Sequence, residues 1–223
     1  NSSIARVRAA APSGFDRALW TGLAEQGAFG IRVPEDAGGL GLGTIDAALL
    51  MDEAGRTLVS GPLAEALVAL RVLAQLAPEH ALLESAMVGE QVLSLALHDV
   101  ATQPVQMVAG GQVADAVIAR KDDDIVVIAV PESARPAVAM MGPTPLGQIN
   151  LGALDATVIG SGADALTTFA AGVEEWKLLI AAGLAGIGRE ALKLAAAYAS
   201  ERKQFDQYIG QFQALSHPLA DLI

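Results

Sequence analysis

The sequence predicts a mainly α chain with a small β domain set between two helical ones. Three observations carry this. Up to about residue 90, apolar residues recur at helical spacing between loops. Residues 91–163 instead hold short β-branched runs divided by Gly, Asp and Pro. From about Leu166 the helical period returns and persists. The expected domains are therefore a helical one over 1–90, a shortened strand domain over 91–163, and over 164–223 the start of a helical bundle that is incomplete in this chain.

Within the first domain, Phe15, Leu19 and Leu23 fall at i, i+4 and i+8, and Gly27 stops the helix they define. The loop Val33-Pro34-Glu35-Asp36-Ala37-Gly38-Gly39-Leu40-Gly41-Leu42-Gly43 follows, its glycines permitting positive φ. Thr44 is the expected N-cap of a helix through Ile45, Leu49 and Met51 to about Arg56. Pro62 suits the first turn of an Ala- and Leu-rich helix ending before Pro78. A fourth helix over 79–88 is closed by Gly89.

Residues 91–97, 114–120 and 125–130 read as strands, with Asp122-Asp123-Asp124 as a tight acidic turn between the last two. That triplet is read as a solvated hairpin tip rather than a metal site. Further on, Trp176, Leu179, Ile180, Gly183, Leu184, Ile187, Ala191, Leu194, Ala195 and Tyr198 form one apolar stripe on a single long helix ending near Phe205. Gly183 and Gly186 would let a neighbouring helix approach closely. The short N-terminal helices cannot cover so long a stripe, so further helices or another subunit are expected to cover it. A second helix starts near Gln211 and is still amphipathic at Ile223, so the chain is expected to continue.

Composition narrows the function classes. Fourteen Lys plus Arg against 25 Asp plus Glu give a net charge of −11, which argues against nucleic acid or an anionic membrane as partner. A 52% hydrophobic and 17% charged chain is not disordered. No apolar run reaches membrane-spanning length, and residues 1–11 lack the apolar core of a signal peptide. With no cysteine, thiolate catalysis and Cys-based zinc sites are excluded, and a cytoplasmic location is expected. His80, His98 and His217 lie at no metal-ligand spacing from one another.

Two stretches go beyond helix patterning. One runs from Leu19-Trp20 through the glycine loop to Asp52-Glu53-Ala54-Gly55-Arg56. The other is Arg202-Lys203-Gln204-Phe205-Asp206-Gln207-Tyr208-Ile209-Gly210-Gln211-Phe212-Gln213, followed by His217 and Ala220-Asp221. Together they resemble the acyl-CoA dehydrogenase family, whose C-terminal signature is Arg-x-x-Phe-Gly-x-x-Ile-x-x-Phe-Gln followed by His and Ala-Asp. The resemblance implies that family's three-part fold and an FAD cofactor held largely by a neighbouring subunit. It implies that Arg202, Gln204, Phe205 and Gln213 contact the adenosine–pyrophosphate end of that flavin. The chemistry agrees: pyrophosphate suits a bidentate guanidinium, and adenine suits an amide beside an apolar face. Read alone, Glu201-Arg202-Lys203 equally suits a charged helix C-terminus.

The sequence departs from the family pattern in several places. Where relatives carry Thr-Glu-Pro-x-x-Gly-Ser-Asp, this chain has His98 and Asp99 with no Gly-Ser-Asp after them, and a Trp-bearing strand is missing. Asp206 replaces the signature glycine. In the family the catalytic base is a glutamate, usually on a helix beyond the point where this chain ends; some relatives place it instead near the start of the long helix. Aligning Ala182-Gly183-Leu184-Ala185-Gly186 puts Trp176 at that position, with Glu175 one residue away, turned by about 100° on a helix. No residue of this chain is therefore assigned as catalytic base.

The resemblance implies α,β-desaturation of an acyl-CoA thioester, with electrons passing to an electron-transfer flavoprotein. The chain is expected to be a subunit of such a flavoenzyme, in a homo-oligomer or a heteromer with a related dehydrogenase chain. The alternative is a non-catalytic structural subunit that has lost the base and part of the flavin site. A flavin oxidase or hydroxylase on the same fold is a third reading.

Overall fold

The computed structural model describes residues 14–136, 138 and 145–222. The signal-peptide reading of residues 1–11 and the last residue, Ile223, lie outside them. Helix α1 (Arg17–Glu25) is capped by Asp16, whose carboxylate accepts the Leu19 N–H at 3.0 Å. It buries Trp20 between Phe15 and Phe29, with ring centroids 5.5 and 4.4 Å away. After Gly27 the chain turns through the glycine loop. There Gly39 packs so closely that a Cβ would stand 2.1 Å from the Val33 carbonyl oxygen.

Helix α2 (Thr44–Arg56) begins one residue earlier in its capping than expected. Gly43, not Thr44, is the N-cap, and Asp46 supplies the missing side chain by accepting the Gly43 N–H at 2.9 Å. Helix α3 (Leu63–Leu76) is buried on nearly every side: eleven of its fourteen residues, Glu65 among them, are out of solvent. Such a helix is apolar all round because it has no solvent face. It is the axis of the molecule. Helix α4 (Leu82–Met87) is shorter than its predicted span, and Gly89 leaves it at φ 78°, where a side chain is strained.

The strand domain is richer than the sequence predicted. The three expected strands are β1 (Leu93–Leu95), β3 (Ala116–Lys121) and β4 (Asp124–Ala129). Three more were not foreseen: β2 (Val105–Val108), β5 (Gly147–Asn150) and β6 (Ala156–Ser161). Their Gly, Asn and Gln content hid them from propensity. One sheet has the order β1-β3-β4-β6, with β1 parallel to β3 and the other pairs antiparallel; β2 and β5 form a second, antiparallel ribbon. Asp122, at φ 55°, turns the β3–β4 hairpin as expected.

Alternation explains why β3 and β4 read as continuous apolar runs. Ala116, Ile118, Ile125 and Val127 join the helical core around α3. Val117, Ala119, Val126 and Ile128 join a second core with Val108, Ile149 and Leu151 beneath the ribbon. Both faces of the sheet are covered.

Helix α5 (Gly162–Glu201) starts earlier and ends sooner than predicted, and at 40 residues it is about 60 Å long. Its contact with α2 is backbone on backbone. A Cβ on Gly186 would lie 1.9 Å from the Asp52 carbonyl oxygen, and one on Gly55 would lie 2.0 Å from that of Gly183. The predicted stripe divides: Leu179 and Gly183 are buried, whereas Leu184 and Leu194 are 62% and 63% exposed and Ile187 and Tyr198 are also open. Beyond α5 come a short hairpin, β7 (Lys203–Gln204) and β8 (Gln207–Tyr208), and helix α6 (Gln213–Asp221) with Pro218 inside it. No helix among the described residues is long and apolar enough to cross a membrane.

Candidate functional site

The C-terminal motif folds into a tight hairpin followed by a short helix. Arg202 caps α5, its N–H donating to the Tyr198 carbonyl at 2.9 Å, while its own carbonyl accepts the Ile209 N–H at 2.8 Å. Phe205 and Asp206 form the two-residue loop of the β7–β8 hairpin, at φ 53° and 63°. Two positive φ values in such a loop match the twist of a tight hairpin. An aspartate tolerates this conformation, so the replaced signature glycine leaves the turn intact. A phenylalanine there is strained, at roughly 1–3 kcal/mol.

The Phe205 ring is nevertheless 88% exposed and meets Phe212 edge-on at 6.3 Å, which brings the hairpin tip to the first residue of α6, Gln213. Gln204 is exposed on the same hairpin. A guanidinium at a helix end, an exposed aromatic face, and the amides of Gln204 on the hairpin and Gln213 at the start of α6 have the chemistry an adenosine–pyrophosphate group demands. Arg202 stands 26 residues beyond Trp176 on α5, or about 39 Å. That is longer than an extended FAD.

At the other end of α5, the pair that alignment left ambiguous is resolved by packing. The buried Glu175 carboxylate is clamped by two guanidiniums: Arg32 reaches Oε1 at 2.5 Å, and Arg71 of α3 contacts Oε2. Arg32 also donates to the Leu42 carbonyl, tying the glycine loop to the cluster. Glu175 is thus an ion-paired strut joining loop, α3 and α5. Sequence reasoning weighed it as a base and missed this role; no spacing links Arg32, Arg71 and Glu175.

Trp176, on the neighbouring face, donates from Nε1 to Glu65 Oε1 at 2.8 Å. Burial pushes the Glu65 carboxyl up from its ordinary range, partly offset by the indole hydrogen bond. The folded value lies above the unfolded one. The stability this group contributes is therefore fully present below the ordinary carboxylate pKa and lost as pH rises through the raised value. Glu65 borders a cavity of about 310 Å³ between α2, α3 and α5, whose walls include Met51, Ala54, Ile180 and Leu184. Glu65 was not singled out from sequence, since one acid in an Ala-Leu helix carries no pattern.

In the strand domain, Asp99 accepts the Ala101 N–H at 2.9 Å and the Asp122 N–H at 3.1 Å and pairs with Arg120 at 3.3 Å. It braces the β3–β4 hairpin. The His98 side chain is exposed, and its backbone is held by the buried Gln106, whose Nε2 donates to the His98 carbonyl at 2.8 Å. Among the described residues no cluster of three His, Asp or Glu could hold a metal.

Residues 2–80 match the family model for the acyl-CoA dehydrogenase N-terminal domain, and residues 166–223 match that for its C-terminal domain. The chain is 34% identical to the acyl-CoA dehydrogenase IpdE2 of Mycolicibacterium smegmatis, over all of this chain and 67% of that protein. Its fold is similar to the steroid ACAD Tcur3481–Tcur3483, with TM-score 0.81 and 28% identity over 98% of this chain and 68% of that one. It is also similar to a chain of the ChsE4–ChsE5 complex of Mycobacterium tuberculosis, with TM-score 0.75 and 27% identity over 95% and 65%. The chain spans between 29% and 67% of the length of the curated relatives it matches.

Proposed function

The chain belongs to the acyl-CoA dehydrogenase family, and from that premise we propose that it is one subunit of a heteromeric, flavin-dependent acyl-CoA dehydrogenase, in which the α-proton is taken by a glutamate outside the described residues. The observation that carries this reading is the state of Glu175 and Trp176. An indole cannot accept the proton, and both oxygens of Glu175 are engaged by Arg32 and Arg71. Burial favours the neutral form of the Glu65 carboxyl beside them. General-base catalysis needs an unprotonated group within hydrogen-bond reach of the α-carbon proton. What the described residues offer is support: they would complete the assembly and present a flavin site at the end of α5.

Bound FAD would supply the acceptor for the β-hydride. This chain's part is to hold its far end. The Arg202 guanidinium would take the pyrophosphate, Phe205 would pack on the adenosine, and Gln204 and Gln213 would donate amide hydrogen bonds. The 39 Å along α5 supports a flavin whose ring lies in a partner chain. The exposed Leu184, Ile187, Leu194 and Tyr198 support a helical neighbour along the same face. ChsE4–ChsE5 is described as a complex of two named chains, and Tcur3481–Tcur3483 likewise bears two names; both favour a heteromer here. An electron-transfer flavoprotein would reoxidise the complex, and a cytoplasmic setting fits that exchange.

Flavin content tests this directly. The protein purified alone is expected to be colourless or nearly so, and with its partner to hold fewer than one FAD per chain. In that complex Arg202→Ala removes a charge-assisted contact of roughly 1.5–3 kcal/mol and should weaken FAD about tenfold or more. One FAD per chain in the isolated protein, or unchanged affinity in the variant, would contradict the reading.

A further inference from the structure

The Arg32–Glu175–Arg71 cluster carries an unmatched charge. Two guanidiniums, 16% and 15% exposed, share a carboxylate that is 5% exposed, and no other acid among the described residues lies within 4.0 Å of either cation. One positive charge is thus left over in a mostly buried place, inside a chain whose net charge is −11. By contrast Arg135 and Asp115, the partly buried pair of the strand domain, match one to one. A cation held out of water without its anion is unfavourable.

The donors show where the missing anion belongs. Arg32 is fully engaged: Nε and Nη2 grip Glu175 side-on, and Nη1 donates to the Leu42 carbonyl. Arg71 is not. Its Nη1 donates to Glu175 Oε2, while Nε and Nη2 meet no acceptor among the described residues. Nor are those two nitrogens sealed in, because Trp20 Nε1 is the one unpartnered side-chain polar atom closed to solvent among the described residues. The free edge of Arg71 is therefore the same fork that Arg32 uses to hold a carboxylate.

We propose that the Nε–Nη2 edge of Arg71 is an anion site that takes a carboxylate or phosphate group, two oxygens against two parallel N–H donors. The second anion would cancel the excess charge of the cluster. Glu175 prepares the site: by holding Nη1 it fixes the guanidinium plane, so less side-chain freedom is lost on binding. The chemistry has two sources, a free anion or a carboxylate carried by a neighbouring subunit. The site stands independently of the catalytic role proposed above.

Titration calorimetry with inorganic phosphate tests this, at constant ionic strength and with chloride as the reference anion. The full-length protein would carry Arg202→Ala, which silences the guanidinium of the C-terminal hairpin. Saturable phosphate binding is expected, and adding Arg71→Gln should weaken it about tenfold or more, the loss of a charge-assisted fork. That variant leaves Arg32 and Glu175 paired one to one, so the cluster stays balanced; a urea midpoint checks that it folds. Should it unfold, Arg71→Lys, which keeps the charge but not the fork, gives the same reading. Repeating the titration on the assembled protein separates the sources: phosphate bound as before marks a free anion, and phosphate binding lost on assembly marks a carboxylate from the neighbouring chain. Heats no different from those of chloride before Arg71 is altered would overturn the proposal, as would phosphate binding that is unchanged in the Arg71 variant.

Discussion

Replacing Glu175 by alanine is expected to destabilise the chain by about 3–5 kcal/mol, the range found when one member of a buried ion pair is removed. The effect is large because the variant leaves two guanidiniums facing each other with their anion gone, in a site where Arg32 and Arg71 are themselves mostly buried. Arg71→Ala should cost less, since Arg32 still pairs the carboxylate. The cluster is the only buried ion-pair network among the described residues that joins three separate parts of the fold: the glycine loop through Arg32, α3 through Arg71 and α5 through Glu175 itself. Urea unfolding should therefore show a lower midpoint for Glu175→Ala at unchanged slope. A midpoint within experimental error of the unaltered protein would mean that Glu175 is free to do something else.

Gly186→Ala should be almost as damaging, and Gly188→Ala should do the opposite. At position 186 the new methyl would meet the backbone of α2, 1.9 Å from the Asp52 carbonyl oxygen, and neither helix backbone can yield as a flexible side chain would. Overpacking costs about 1–3 kcal/mol and occasionally more, and a clash with backbone on both sides puts this site at the upper end. At position 188 nothing lies within 4 Å, so alanine only improves helix propensity, by up to about 1 kcal/mol. Two identical substitutions two residues apart thus move the melting temperature in opposite directions. Equal shifts would show that α2 and α5 do not cross at Gly55 and Gly186.

The same helix shows what the sequence could and could not convey. Its period and apolar stripe were legible, and so was the need for something to cover Leu184, Ile187, Leu194 and Tyr198, which stand exposed. Of the two glycines singled out, only Gly186 is sterically obligatory; a Cβ at Gly183 would meet Met51 at an ordinary 3.5 Å. Periodicity locates a face but not the point of closest approach. The β domain was half legible. Strands buried on both faces announce themselves through Val and Ile, whereas β2, β5 and β6 owe their place to the pairings around them and carry Gln, Gly and Asn. The C-terminal motif stood out because its residues are contiguous in the chain. The Arg32–Arg71–Glu175 cluster and the Glu65–Trp176 contact join residues more than a hundred positions apart, and only packing brings them together.

The measurement that bears most directly on the proposed role is dye-coupled dehydrogenation over a panel of acyl-CoA thioesters, made with the full-length protein alone and co-expressed with a related dehydrogenase chain. The proposed heteromer predicts no turnover from the full-length protein alone and turnover once the partner chain is present. Desaturation by the full-length protein without a partner would contradict the supporting role and make this chain a catalytic dehydrogenase in its own right.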